Sequence, residues 1–109
     1  MQDLQDLQDL QDLQDLQDLI ERLQKAAAPD RELDRLIHIA VDGNTVVPNY
    51  TESIDAARKL VLAPGWQLGT ADDGRTHYAF VGRNAYEHGA TLAISLCLAA
   101  LKARQADAP

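Results

Sequence analysis

Residues 91–104, TLAISLCLAALKAR, constrain the fold most strongly because their pattern is helical and apolar on nearly every side. At 100° per residue, one face of such a helix carries Ile94, Cys97, Leu98 and Leu101. The nearly opposite side carries Leu92 and Leu96, which leaves only a narrow polar edge. A helix this apolar is expected to lie inside the fold, with other elements packed on several sides.

The stretch WQLGTADDGRTHYAFVG predicts a β-hairpin, because two alternating runs flank Asp73-Gly74, a dipeptide that suits a type I′ turn. The hairpin is expected at about 66–71 and 76–82, with Leu68 opposite Ala79. One face then carries the apolar set Trp66, Leu68, Ala79 and Val81, and the other carries Tyr78 and Phe80. Because both faces are apolar, the sequence predicts an α+β fold in which a small antiparallel sheet is layered between helices, as an α/β/α sandwich.

Three further helices are predicted before the hairpin. The first runs from the last QDL repeats to about Ala27, and the second begins at Pro29-Asp30, where Asp accepts a hydrogen bond from free backbone N–H groups. Asp42-Gly43 is expected to end the second helix. Thr51 is expected to cap a third helix that begins with Glu52 in its first turn.

Six copies of QDL follow Met1 and occupy residues 2–19. Each step of three residues turns an α-helix by about 300°, so the leucines wind around the helix and form no single apolar face. We expect an extended N-terminal helix, produced by tandem expansion, with residues 1–19 as a repeat extension and residues 20–109 as a single α+β domain. A dedicated function for the repeat, such as homo-oligomerisation, remains an alternative.

The net charge of −7 is distributed unevenly along the chain. Residues 1–19 contain six Asp and no base, whereas residues 20–109 contain ten Lys and Arg against eleven Asp and Glu. Neither part offers the basic surface that neutralises phosphates, so no nucleic-acid partner is expected. An apolar run of about 20 residues and the features of a signal peptide are both absent, which favours a soluble cytoplasmic protein with no membrane partner.

The residue types that bind metals or act in covalent catalysis are not spaced for either task. His38, His77 and His88 lack the close spacing of zinc ligands, and His38 is expected to be solvated. Cys97 lies in an apolar stripe, where no stabilised thiolate is expected, and Asp72-Asp73 fits a solvated turn. We therefore predict no catalytic residues, no metal and no cofactor, and a protein that is not an enzyme.

Two polar segments are candidates for a ligand or partner surface, with an ordinary solvated loop as the alternative for each. The segment GRNAYEHGA lies before the last helix and combines donors, acceptors and an aromatic ring in Arg83, Asn84, Tyr86 and His88. The loop NTVVPNY is expected to be exposed and to present Tyr50 beside Val46-Val47.

Three blocks, PDRELDRLI, PNYTESIDAARKLV followed by PGW, and ATLAISLCLAALKAR, occur in this order over residues 20–106. Together they resemble the phage ABA-sandwich domain family of uncharacterised phage and prophage proteins. The resemblance implies a three-layer α/β/α fold and implies no activity. It leads to the prediction of a small phage or prophage accessory protein, a non-enzymatic binding module for a host protein or small metabolite. The alternative is a structural module that assembles through its N-terminal helix.

Overall fold

The computed structural model describes residues 3–41, 46–61, 65–82 and 86–107, with side chains described from Gln14 to Gln105 within those ranges. The helices and strands in chain order are α1 (Asp3–Lys25), α2 (Arg31–Val41), α3 (Ile54–Arg58), β1 (Trp66–Thr70), β2 (His77–Val81), β3 (Glu87–Gly89) and α4 (Leu92–Asp107). Four helices accompany one antiparallel sheet in these residues, which confirms the predicted α+β class. None of the described helices is long and apolar enough to cross a membrane.

Helix α4 lies at the centre of the fold, as its all-round apolar pattern predicts. It contacts all three strands on one side and α1 and α3 on others. Every residue from Ala93 to Leu101 is buried. The helix begins where Thr91 Oγ1 accepts a hydrogen bond from the backbone N–H of Ile94 at 3.1 Å, a side-chain cap of the first turn. Burial of this one helix therefore joins the sheet to α1 and α3.

The strands are antiparallel in the order β1-β2-β3. Leu68 lies opposite Ala79, which confirms the predicted register of the hairpin. Strand β3 is an addition, because the sequence pattern placed His88 and its neighbours in a loop. Its three residues have no apolar alternation, and it is held by tertiary contacts: Glu87 pairs with Lys102 of α4 at 2.8 Å, and a Cβ at Gly89 would lie 2.8 Å from the Ser95 nitrogen.

The turn of the hairpin is not the predicted type I′, which needs a positive φ at both central residues. Among the described residues only glycines have positive φ, so Asp73 lies in an ordinary region while Gly74 has φ +71°. The Asp73 carboxylate instead accepts hydrogen bonds from the backbone N–H groups of Arg75 and Thr76, both at 2.9 Å, and from the Thr76 hydroxyl at 2.8 Å. These side-chain bonds close the turn together with a backbone hydrogen bond from the Gly74 N–H to the Ala71 carbonyl at 2.9 Å, and the predicted register is unchanged.

Among the described residues, the helical contacts of the sheet come chiefly from α4. In the described part of the chain, α4 contacts all three strands. Helix α1 contacts β3 but neither of the other two strands, and no other helix contacts the sheet. Ala79 and Val81 are buried beneath α4, whereas Tyr78 and Phe80 on the opposite face are only half-buried. The described helices thus pack on one face of the sheet, because α4 uses its remaining apolar sides to bind other helices.

A buried carboxylate connects α2 to the loop before α3. Asp34 is 1% exposed, and its Oδ1 accepts hydrogen bonds from both the backbone N–H and the hydroxyl of Thr51, each at 2.8 Å. Asp34 also pairs with Arg31 at 3.1 Å. Thr51 is therefore not the predicted cap of the third helix: Ser53 caps that helix by accepting from the Ala56 N–H, and the helix begins at Ile54.

Replacement of Asp34 by alanine is expected to destabilise the fold by about 3 kcal/mol. The buried Thr51 N–H loses its acceptor, and the Thr51 hydroxyl keeps only the longer bond to the Asp30 carbonyl, at 3.2 Å. Chemical denaturation of the purified protein measures this loss as a lower midpoint at unchanged slope. Glu32→Ala on the exposed side of the same helix is the matched control and should cost less than about 1 kcal/mol. Equal losses in the two variants would contradict the assigned role of Asp34.

The turn of the hairpin predicts a pH dependence at the acidic end. The pKa of Asp73 is lowered from its ordinary value of 3.8, chiefly by the Arg75 and Thr76 backbone N–H groups that donate to the carboxylate. Because the folded-state pKa is the lower one, the stabilisation is complete above the unfolded-state pKa near ~4 and is lost as the pH falls through the folded value. Carboxyl NMR titration should give a pKa below 3.8 for Asp73. If wild type and Asp73→Asn lost stability in parallel between about pH 5 and 2, this role of the carboxylate would be refuted.

Candidate functional site

The face of the sheet opposite α4 carries an aromatic cluster, which we call the aromatic face and define as Gln67, Tyr78, Phe80, Tyr86 and His88. Side chains of a strand alternate between its two faces, so the residues next to the buried Ala79 point away from α4. Cross-strand pairing then sets Gln67 beside Phe80 and His88 beside Tyr78. The aromatic face is thus a direct consequence of the strand register, with α4 packed against the opposite face of the sheet.

Tyr86 lies at the centre of this cluster. Its ring is nearly perpendicular to that of Tyr78, at 84° with centroids 5.3 Å apart, and to that of Phe80, at 82° with centroids 5.0 Å apart. Such edge-to-face pairs are each favourable by about 1 kcal/mol beyond their buried area. Tyr86 is nonetheless 52% exposed. The ring is therefore held in one orientation while much of its surface is open to a ligand.

Gly69 explains why the Tyr78 ring can lie across the neighbouring strand. The two residues are directly opposite one another on β1 and β2. A Cβ at position 69 would lie 2.7 Å from the Tyr78 hydroxyl oxygen and 2.9 Å from the adjacent ring carbon. Any side chain larger than hydrogen would displace the ring, so this glycine is needed for the close approach.

The polar groups of the aromatic face lie at its margins. Gln67 and His88 are both exposed, and they stand beside Phe80 and Tyr78 respectively. An amide and an imidazole provide both hydrogen-bond donors and acceptors. A rigid apolar surface with a small number of polar groups at its edge is the general pattern of a site that orients a ligand.

The structure brings together two of the predicted site residues, Tyr86 and His88, on this face. Arg83 and Asn84 lie outside the described residues. Tyr78 and Phe80 were missed as site residues, although the predicted alternation of the hairpin had already placed both on one face. The sequence pattern did not reveal the third strand, and it is this strand that brings Tyr86 to the two rings.

Tyr50 is not part of an exposed surface, so the prediction that this residue would be exposed is wrong. Its side chain is 3% exposed, and its hydroxyl lies 2.9 Å from Nδ1 of His38. His38 is itself 3% exposed rather than solvated. The loop that carries Tyr50 folds over the side of α2 on which His38 lies, and this tertiary contact cannot be read from the periodicity of α2 alone.

Cys97 lies beneath the same loop and is buried, as predicted. Its Sγ donates a hydrogen bond to the carbonyl oxygen of Tyr50 at 3.3 Å. Burial, and next the nearby Asp34 carboxylate, raise the pKa of the Cys97 thiol well above its ordinary range. A thiol in this state is a poor nucleophile. No group of three or more potential metal ligands occurs in the described parts of the chain.

A groove of about 680 Å³ lies between α1, α2 and α4. Its walls include the half-buried Leu16 and Leu36 and the 71% exposed Ile39. Charged groups of both signs, Asp18 and Arg22, stand at its rim. The groove is apolar at its base because the core residues of three helices continue into it. Its described lining contains no aromatic ring, and its charged groups come from Asp15, Asp18, Arg22 and Arg104.

Comparison with known proteins gives no relative: no family model, no curated protein and no solved structure matches this chain.

Tyr50→Phe is expected to destabilise the protein by about 1 kcal/mol, because it removes the hydroxyl that bonds His38 while retaining the ring. Thermal or chemical denaturation measures this change. The same variant should leave any binding at the aromatic face unaltered, since the Tyr50 side chain is buried against His38 of α2 and does not lie on that face. Loss of binding with unchanged stability would restore Tyr50 as a surface residue and contradict this assignment.

Proposed function

We propose that this protein is a non-enzymatic binding module whose aromatic face recognises a small metabolite or a host protein. The observation that carries the proposal is the half-exposed Tyr86 ring, fixed by two edge-to-face contacts on the sheet face without a described helix. Rings that are held in place contribute contact area at low cost in conformational entropy, which is the usual reason that aromatic side chains dominate binding surfaces.

The composition of the aromatic face indicates the chemistry of its ligand. Gln67, Tyr78, Phe80 and Tyr86 carry no charge, so neither a cation nor a phosphate gains an ionic contact from them. Aromatic rings favour flat or apolar groups, while Gln67 and His88 supply hydrogen bonds at the margin. The best-supported ligand is an uncharged planar or apolar group, belonging to a metabolite or displayed on a protein.

The resemblance of three sequence blocks to phage ABA-sandwich proteins supports the further proposal that this binding serves a phage or prophage accessory protein in the bacterial cytoplasm. An accessory protein that binds a host component needs a surface and not a catalytic apparatus. The raised pKa of the buried Cys97 thiol is in keeping with such a role, because a buried and protonated thiol is a poor nucleophile.

Assembly through the N-terminal helix is the alternative proposal. Leu19, Ile20 and Leu23 of α1 are buried within their own domain, and Gln17 Oε1 accepts a hydrogen bond from the Gln105 side chain of α4 at 2.6 Å. The described side chains of α1 therefore favour a role inside the domain. Assembly by this route would have to depend on the earlier repeats.

Binding at the aromatic face is tested by recording amide NMR shifts while uncharged probes are added, namely nucleosides, aromatic amino acids and neutral oligosaccharides. We expect the shifts to cluster at Gln67, Tyr78 and His88. Tyr86→Ala should weaken binding of an active probe about tenfold, a change of about 1.4 kcal/mol.

Tyr86→Phe is the matched variant and should retain most of the affinity, because it keeps the ring. Ile39→Ala, in the groove between the helices, controls for an unspecific effect of removing an exposed apolar side chain. Shifts that map to Ile39 and its neighbours, or an absence of shifts with every probe, would contradict the assignment of the aromatic face.

A further inference from the structure

The outer edge of β1 leads to an inference about self-association. We propose that two copies of this chain associate through their β1 strands, antiparallel and centred on Leu68, to form a continuous six-stranded sheet. The second copy is the partner that the hydrogen-bonding groups, the side chains and the charges of this edge fit best.

The hydrogen-bonding pattern of the hairpin shows which groups of β1 face outward. Ala71 N–H donates to the Thr76 carbonyl at 2.8 Å, and Gly82 N–H donates to the Gly65 carbonyl at 2.7 Å. In an antiparallel ladder the bonded positions alternate, so residues 65, 67, 69 and 71 are directed to β2. The N–H and C=O groups of Trp66, Leu68 and Thr70 are directed to the open side, and within the described residues no backbone group bonds to them.

The sequence of β1 lacks the features that usually protect an open edge. Protected edges carry charged side chains, proline or a bulge, or consist of a very short strand. Strand β1 is five residues long, reads WQLGT and contains neither charge nor proline. Strand β3, at the opposite edge, has only three residues and contacts α1. The two edges are therefore not equivalent, and β1 is the one available for pairing.

Two-fold symmetry fixes the register of the pairing. Since the outward-facing groups belong to Trp66, Leu68 and Thr70, an antiparallel copy centred on Leu68 sets Leu68 opposite Leu68 and Trp66 opposite Thr70. Every outward N–H then meets an outward C=O of the other copy. The half-buried Trp66 and Leu68 gain apolar contacts on the α4 side of the sheet.

Charge complementarity occurs at both ends of this register. The Arg58 guanidinium lies over the Trp66 ring, 5.5 Å from its centroid. In this register, Thr70 of the second copy lies opposite Trp66 of the first. Asp72 of the second copy follows two residues later, so its carboxylate approaches Arg58 of the first copy. Both groups are exposed, and symmetry repeats the pair at the other end. A dimer of this kind also places the two aromatic faces on the same side of one sheet.

Sedimentation equilibrium of the full chain tests the proposal over a range of concentrations at low salt. Arg58→Asp and Asp72→Arg, each studied alone, should weaken dimerisation about tenfold, because each sets like charges together at both ends. An equimolar mixture of the two variants should recover the affinity of the wild type, since a mixed dimer has opposite charges at each end. Arg35→Asp and Glu52→Arg, exposed sites elsewhere, are the matched controls and should leave dimerisation within about twofold of wild type.

Recovery in the mixture distinguishes this interface from assembly through the N-terminal helix, which these substitutions would not affect. A monomer at every concentration would overturn the proposal. A dimer whose affinity is the same in wild type, in each variant and in the mixture would overturn it equally. Ligand binding at the aromatic face is measured separately, so failure of either proposal is recognised by itself.

Discussion

The hydrogen bonds between the buried Asp34 carboxylate and Thr51 hold the helical half of the fold together. They fix the loop between α2 and α3 from within, at 2.8 Å to both the Thr51 N–H and its hydroxyl. The same loop then places the Tyr50 carbonyl over Cys97 of α4 and the Tyr50 hydroxyl against His38 of α2. A charge this deeply buried is tolerable only because each of its oxygens has a partner, with Arg31 bonding the second one. The position of α3 on α4 follows from this loop.

A second constraint is that few apolar helix surfaces are available to cover the sheet in the described part of the chain. Helix α4 is apolar on nearly every side, but α1 and α3 occupy the sides turned away from the strands. Among the described residues, the sheet therefore receives its helical cover on a single face. The other face is stabilised by its own rings, with Tyr86 packed edge-on against Tyr78 and Phe80. Aromatic contacts of this kind protect part of the surface and leave the remainder able to bind.

Local patterns predicted the elements whose stability is local or whose apolar pattern is extreme. The central place of α4 followed from its leucines, and the pairing of Leu68 with Ala79 followed from the alternation around Asp73-Gly74. The placement of Tyr78 and Phe80 on the aromatic face could also be derived from that alternation. The turn itself closes by side-chain hydrogen bonds to Asp73, which dihedral preferences of the dipeptide do not reveal.

Long-range contacts determined what the patterns could not predict. Strand β3 has no apolar alternation and exists because Glu87 meets Lys102 and Gly89 admits the start of α4. His38 looked solvated because it lies far from the apolar stripe of α2, yet a loop twelve residues later covers it. Exposure of Tyr50 was inferred from its place in a polar loop, whereas the partner of its hydroxyl lies on another element. In each case the missing information was the position of a distant residue.

The way in which α1 is anchored has a consequence for how the gene can change. The core contacts of this helix come from Leu19, Ile20 and Leu23, with Leu16 packed at their margin. A tripeptide unit gained or lost upstream of Gln14 alters the helix length by about 4.5 Å and leaves these four side chains in their places. A change in length upstream of Gln14 therefore leaves the register of these described core contacts unchanged.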